Sequence, residues 1–361
     1  MSDLTTKIML DKYVEEKEPI GFLAGQFQSP AKNFHNKEEI QIDIRRNGRK
    51  IAIAVQNLST GARLNANDLF TNKAYKPAIY REAASINAHD LISRSMGDNP
   101  FEDFDFQMKA VERGIDVGVE MSAKIARAIE VQASQVLQTG KITLVDDGNN
   151  DIYEIDFKPK VSHFPTVAVT WGQSGDSKLS DLAALCRQVK TDGKLTPDLL
   201  EMGHGAYEEF IKDAEVLERL DNARIEGNGI VPLDRMGDGG LYRGVIEIDN
   251  YRLDIWTYDE SYEDPVTNAD TPYITTDKVI VRASKGRLDA TFGLIPRIGA
   301  PDPRVPTELL QRISNADEMV DLQHWAWLQP DGSALMVEVG TRALLIPTAI
   351  DTFGCLTTTA V

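Results

Sequence analysis

The sequence predicts an α+β chain with a long helix and a long two-stranded excursion, and three observations carry that prediction. Apolar residues recur at spacings of three and four through a proline-free stretch between Pro100 and Pro159. Short alternating apolar runs flank that stretch on both sides. A segment between about Lys50 and Ile86 is long enough to be an element but too polar to form a core of its own.

The helix comes first because its signal is the strongest. Met108, Val111, Ile115, Val119, Ser122, Ala126, Ile129, Ala133 and Val136 fall on one face, as a 3.6-residue period requires. Gly140 is placed as a C-terminal cap. A helix from about Phe106 to Gln138 would be roughly 50 Å long, about three times an ordinary globular helix. Gly114, Gly118 and Ser122 interrupt the stripe, so packing on a sheet fits better than a coiled coil.

Before the helix, Ile40, Ile42 and Ile44 alternate, and so do Ile51, Ile53 and Val55. Asn47-Gly48 lies between them, the preferred pair for a type I′ hairpin turn. The polar residues that follow, up to Lys76, read as a two-stranded excursion. At about 3.3 Å per residue, arms of about 15 residues would reach roughly 50 Å. A ribbon of that kind is not stable alone in water and needs a second surface. Residues 1–37 contain Pro19, Gly21, Gly25 and Pro30 and read as an extended arm with few internal contacts.

After the helix, Ile142 to Val145 and Ile152 to Phe157 read as strands around an acidic turn. From about Leu179 the pattern becomes α/β. Leu182, Leu185, Cys186 and Val189 mark a helix ended by Gly193, and Phe210, Ile211, Ala214 and Leu217 mark another. Val245 to Ile248 and Tyr251 to Thr257 alternate around Asp249-Asn250 as a hairpin. Lys278 to Val281, Leu335 to Val339 and Ala343 to Pro347 read as strands.

Composition bounds the function. Hydrophobic residues make up 42% of the 361, which is globular and not disordered. No apolar run is long enough to span a membrane, and residues 1–18 lack the continuous apolar stretch of a secretory signal. Folding in a cytoplasm is the expectation, with Cys186 and Cys355 as buried thiols. The net charge of −17 is uneven. The first 90 residues carry 13 Lys and Arg against 11 Asp and Glu, and the remainder carries 26 against 45. So acidic a body is poorly suited to gripping nucleic acid.

The motifs of catalysis are missing from the sequence. His35, His89, His163, His204 and His324 show no metal-site spacing, and there is no HExxH, Walker loop or GxSxG elbow. No cofactor, metal or catalytic residue is expected. Gly237-Asp238-Gly239-Gly240 reads as a flexible loop.

The order of these pieces resembles a tailed-phage major capsid protein, and several stretches are similar to the lambda-type major capsid protein E family. They are Glu38 to Val55, Ile129 to Leu144, Tyr207 to Asp221, Gly244 to Tyr258, Pro272 to Val281 and Ala334 to Leu356. The resemblance implies the Hong Kong 97-like fold. In this sequence that means an N-terminal arm (1–37), a hairpin and extended loop (38–90) and a peripheral domain with the spine helix (91–178). An axial domain (179–333) and return strands to the peripheral domain (334–361) follow. It implies hexamers and pentamers in an icosahedral virion shell around double-stranded DNA, bound without sequence specificity. It also implies a scaffolding protein, a portal and a decoration protein as partners. On that reading the excursion lies over a neighbouring subunit, and the candidate contact residues are Arg63, Leu64, Leu69, Phe70, Lys73, Tyr75, Lys76 and Arg81. The alternatives are an encapsulin-like shell with enzyme cargo, or a soluble α/β enzyme.

Overall fold

The computed structural model describes residues 20–29, 34–35, 40–44, 71–75, 77–87, 106–145, 151–221, 225–226, 229–230, 238–265, 267–295 and 322–360. In chain order a two-residue strand, Phe34–His35, is followed by β1 (Ile40–Ile44), β2 (Thr71–Tyr75), β3 (Tyr80–Asn87) and helix α1 (Phe106–Thr139). Strands β4 (Lys141–Val145) and β5 (Asp151–Asp156) precede helix α2 (Lys178–Gly193), strand β6 (Leu199–Met202) and the short helices α3 (His204–Ile211) and α4 (Ala214–Arg219). Then come β7 (Leu241–Ile248), β8 (Tyr251–Thr257), β9 (Lys278–Arg282) and β10 (Asp289–Gly293). The chain closes with β11 (Gln323–Leu328), β12 (Ala334–Thr341), β13 (Ala343–Ile346) and β14 (Phe353–Thr357).

The long helix is present at the expected place, and its buried stripe is Met121, Ile125, Ile129, Ala133, Val136 and Leu137. It ends because Gly140 turns the chain at φ +69°, with its amide bonded to the Val136 carbonyl at 2.8 Å. A β-carbon on Gly140 would also sit 2.4 Å from the ring of Pro159. Gly140→Ala is therefore expected to cost about 2–3 kcal/mol in urea unfolding, from left-handed strain and the clash together.

Helix α1 lies against a three-stranded antiparallel sheet in the order β11, β12, β3. Beside this sheet β10 pairs antiparallel with β13, and Phe34–His35 adds a parallel edge to β10. These elements and α1 share one apolar core. The second sheet has six strands in the order β14, β9, β6, β8, β7 and Leu220–Asp221. Its central strands alternate between two faces. Leu200, Met202, Val279, Val281 and Leu356 face a second core against α2 and α3. Glu201, Ile280, Arg282 and Cys355 face the other way, toward the side of α1.

Strands β10 and β11 join the α1 side. Strand β14 is an edge of the six-stranded sheet, with Phe353 and Cys355 turned to the core beneath α1 and Leu356 to the second core. Its apolarity on both faces suits it to that covered position. β1 pairs antiparallel with β2, from Ile40 opposite Tyr75 to Ile44 opposite Thr71. The expected hairpin at Asn47-Gly48 and the strand Ile51 to Val55 lie outside the described residues.

Cys186 and Cys355 are both free and buried, and burial pushes their thiols up to about 12. Among the described residues no group of three or more His, Cys, Asp or Glu stands together as a metal site. Among the described residues no helix is long and apolar enough to cross a membrane.

Candidate functional site

Two segments that lie outside the sheets and helices of the body are tied to it by anchors among the described residues. The first anchor is the β1–β2 ladder. It brings the two ends of residues 45–70 side by side, so that whole segment starts and finishes at one place. Tyr75, at the end of β2, is half-buried, and its ring lies 5.5 Å from that of Phe157. It therefore locks the ladder to the body. After β2 the chain enters β3, where Arg81 reaches across to Glu338 on β12, with Nε 2.7 Å from Oε1. Glu338 is buried and Arg81 half-exposed.

Of the eight candidate contact residues, Tyr75 and Arg81 thus serve this chain's own fold. Lys73 sits in β2 opposite Ile42. Arg63, Leu64, Leu69, Phe70 and Lys76 lie outside the described residues. Arg81 carries an aspect the sequence did not disclose. Its partner is 257 residues away and becomes a neighbour only through the pairing of β3 with β12.

The second anchor holds the N-terminal segment and corrects the expectation of few internal contacts. Residues 20–29 fill the seam between α1 and the six-stranded sheet. Phe22, Leu23 and Phe27 are buried there. Gly21, at φ 115°, makes the bend that a side chain would resist, and its carbonyl takes the Gly25 amide at 2.8 Å. The Phe22 ring packs at a tilt against those of Trp256 and Tyr258, with ring centres 5.8 and 5.2 Å away. Gly240 makes room for it, since a β-carbon there would lie 2.3 Å from the Phe22 ring. The glycine-rich loop before β7 is thus a seat for an aromatic ring.

Two buried carboxylates grip this segment from opposite sides. Glu130 on α1 accepts the Leu23 amide at 2.8 Å and the Ala24 amide at 2.9 Å, one on each oxygen. Glu201 on β6 accepts from Gln26 Nε2 at 2.7 Å and from Arg282 Nε at 2.9 Å. Burial raises the Glu130 carboxyl above its ordinary value, while the two amide bonds pull it partly back. Beyond the grip, Gln28 runs parallel to Asp289, exchanging backbone bonds with Leu288 and Ala290.

The same helix clasps other segments with polar residues set in its apolar stripe. Gln132 Nε2 donates to the Tyr80 hydroxyl at 2.6 Å, where β3 begins. Ser134 and Gln138 both donate to the Tyr273 carbonyl, and Gln138 accepts from the Thr275 amide at 3.1 Å. Gln135 accepts the Thr143 amide at 3.0 Å, which folds β4 back along the helix end. One helix thus fixes the N-terminal segment, the return of the excursion and the turn before β9. A polar residue inside a helical apolar stripe was the available signal, because an unpaired buried polar group is costly and therefore has a partner.

A third cluster ties the end of α2 to β14. Asp192 accepts from Gln188 Nε2 at 2.6 Å and from Lys160, and its Oδ2 lies 3.0 Å from His163 Nε2. The other nitrogen of His163 lies 2.7 Å from the Phe353 carbonyl. Burial alone would raise the Asp192 carboxyl, but the bonds from Lys160, His163 and Gln188 outweigh it and hold it at about 2. Its folded value is below its unfolded one, so its contribution is present above the unfolded value. That contribution is lost as pH falls through the folded value. Denaturant titrations between pH 5 and 2 should show this loss, at most about 2 kcal/mol, and Asp192→Asn should flatten it.

Comparison with known proteins agrees with this architecture. The family described as Phage major capsid protein E matches residues 5–357. Among solved structures, one described as a prophage capsid protein of E. coli CFT073 is 16% identical. It covers 81% of this chain and 80% of that one, with a TM-score of 0.55, which shows a shared fold. A phage-related protein of Bordetella bronchiseptica RB50 is 9% identical, covering 98% and 96%, with a TM-score of 0.48. The holo-SrpI encapsulin complex of Synechococcus elongatus PCC 7942 is 8% identical, covering 98% and 95%, at 0.44. No curated protein matches the chain. A family match over nearly the whole length, on a mixed fold of the Hong Kong 97-like type, settles the question: this chain belongs to the phage major capsid protein E family, and its place is the shell of a virion.

Proposed function

We propose that the subunit assembles into hexamers and pentamers of an icosahedral head around double-stranded DNA, and that residues 45–70 and the N-terminal segment make contacts with neighbouring copies. The observation that carries this reading is the β1–β2 ladder. It sets Ile44 beside Thr71 and is held to the body through Tyr75 and Phe157. The polar stretch that leaves and rejoins the body at these adjacent residues is suited by its composition to contact something beyond its own chain.

The strongly acidic remainder fits a wall that encloses DNA without gripping it, since salt-dependent binding to phosphates needs clustered cations. A scaffolding protein, a portal and a decoration protein are the partners this role calls for. Electron microscopy of the purified full chain tests the reading. Closed shells of uniform diameter are expected, whereas a discrete small oligomer at every concentration would overturn it.

A further inference from the structure

We propose that Glu130 is the positioning residue of the N-terminal segment, acting as a buckle that fixes where that segment joins the body. The inference deepens the assembly reading and rests on its premise that the N-terminal segment contacts a neighbouring copy.

The argument starts from cost. Glu130 is fully buried in the middle of the apolar stripe of α1, flanked by Ile129 and Ala133. An apolar residue there would serve the packing of one subunit at least as well, because a buried carboxylate is costly unless its bonds repay it. Its two oxygens are committed to two successive amides, Leu23 and Ala24, which are 107 and 106 residues away. These amides open the 3₁₀ turn Ala24–Gln26, which has no side-chain cap of its own. Glu130 supplies that function from another element.

The geometry is specific to direction. One acceptor would hold the segment at a point and leave it free to swivel. Two acceptors on a single planar carboxylate, taking consecutive N–H groups, fix orientation as well as place. The second grip, Gln26 on Glu201, comes from the sheet on the opposite side. The segment is thus held from the helix and from the sheet within four residues. Ile20 then stands at a set position on the surface. A shell needs that constancy, because a contact repeated in every copy closes only if each copy presents it at the same angle.

The test uses the full chain with Glu130→Gln and Glu130→Ala. Glutamine keeps the size but turns an N–H donor toward one of the two amides, and alanine removes both acceptors. In unassembled subunits, hydrogen exchange of the peptide containing Leu23 and Ala24 should accelerate more than tenfold. Exchange of the peptides containing Leu200 and Ile280 should stay unchanged in the glutamine variant. Its shells should be irregular in diameter where the parent's are uniform. The proposal is overturned by unchanged exchange at Leu23 and Ala24, by equal acceleration throughout the glutamine variant, or by uniform shells despite a loosened segment. If the parent itself forms no shells, the assembly reading fails, while the exchange data still report on the hold of Glu130.

Discussion

Replacing residues 46–69 with a single Asn-Gly turn should leave a folded, soluble subunit that no longer closes shells. The register of the ladder makes this replacement clean. Ile44 stands opposite Thr71, so a shortened chain that carries this register one pair further can be closed by a two-residue turn of the primed type. Strands β1 and β2 survive, as does the contact of Tyr75 with Phe157. Nothing described in the two cores is removed, so the urea midpoint should stay within about 1 kcal/mol of the parent, the usual scale of changes away from a core. Assembly is where the effect should fall. Weak contacts made by each copy multiply across a lattice, and losing them in every copy removes closure altogether. Sedimentation and negative-stain images decide the matter, and normal particles from the shortened chain would sink the proposed role of the excursion.

The largest loss of stability should come from Arg282→Ala. Arg282 is 11% exposed and Glu201 1% exposed, and they meet at 2.9 Å on the face of the six-stranded sheet turned toward α1. Removing the guanidinium leaves the carboxylate in an apolar seam with only Gln26 on the same oxygen. Breaking a buried pair from one side costs about 3–5 kcal/mol, because the remaining charge has lost its partner and cannot regain water. The double change Glu201→Leu with Arg282→Met should recover most of that loss, since the charge penalty disappears with both groups. Urea unfolding of unassembled subunits measures both. A double variant as unstable as Arg282→Ala would show that packing, and not the orphaned charge, governs the seam.

Periodic elements were legible in the sequence, and the clasps between them were not. Helix α1 was readable because its stripe repeats over many turns, and Gly140 announced its end. The hairpin of β7 and β8 was readable from alternation around Asp249-Asn250, and Asp249 takes the positive φ of 53° that such a turn needs. Residues 20–29 have no period at all. Two prolines and two glycines nearby suggested a loose arm, yet Phe22, Leu23 and Phe27 bury themselves in a seam built from residues far along the chain. The position of Glu130 in an apolar stripe signalled that it has a partner, but which partner it and Glu201 take depends on the fold and not on sequence neighbours. Arg81 read as a candidate contact to a neighbouring subunit because Glu338, its partner within the chain, is distant in sequence.

Strand β14 ties the fate of one core to that of the other. It pairs with β9, and it sends Phe353 and Cys355 into the core beneath α1 and Leu356 into the core against α2. Peeling this one strand away would wet both interiors at once. The two cores should therefore open as a single cooperative unit, so that neither half of the subunit loosens while the other stays closed.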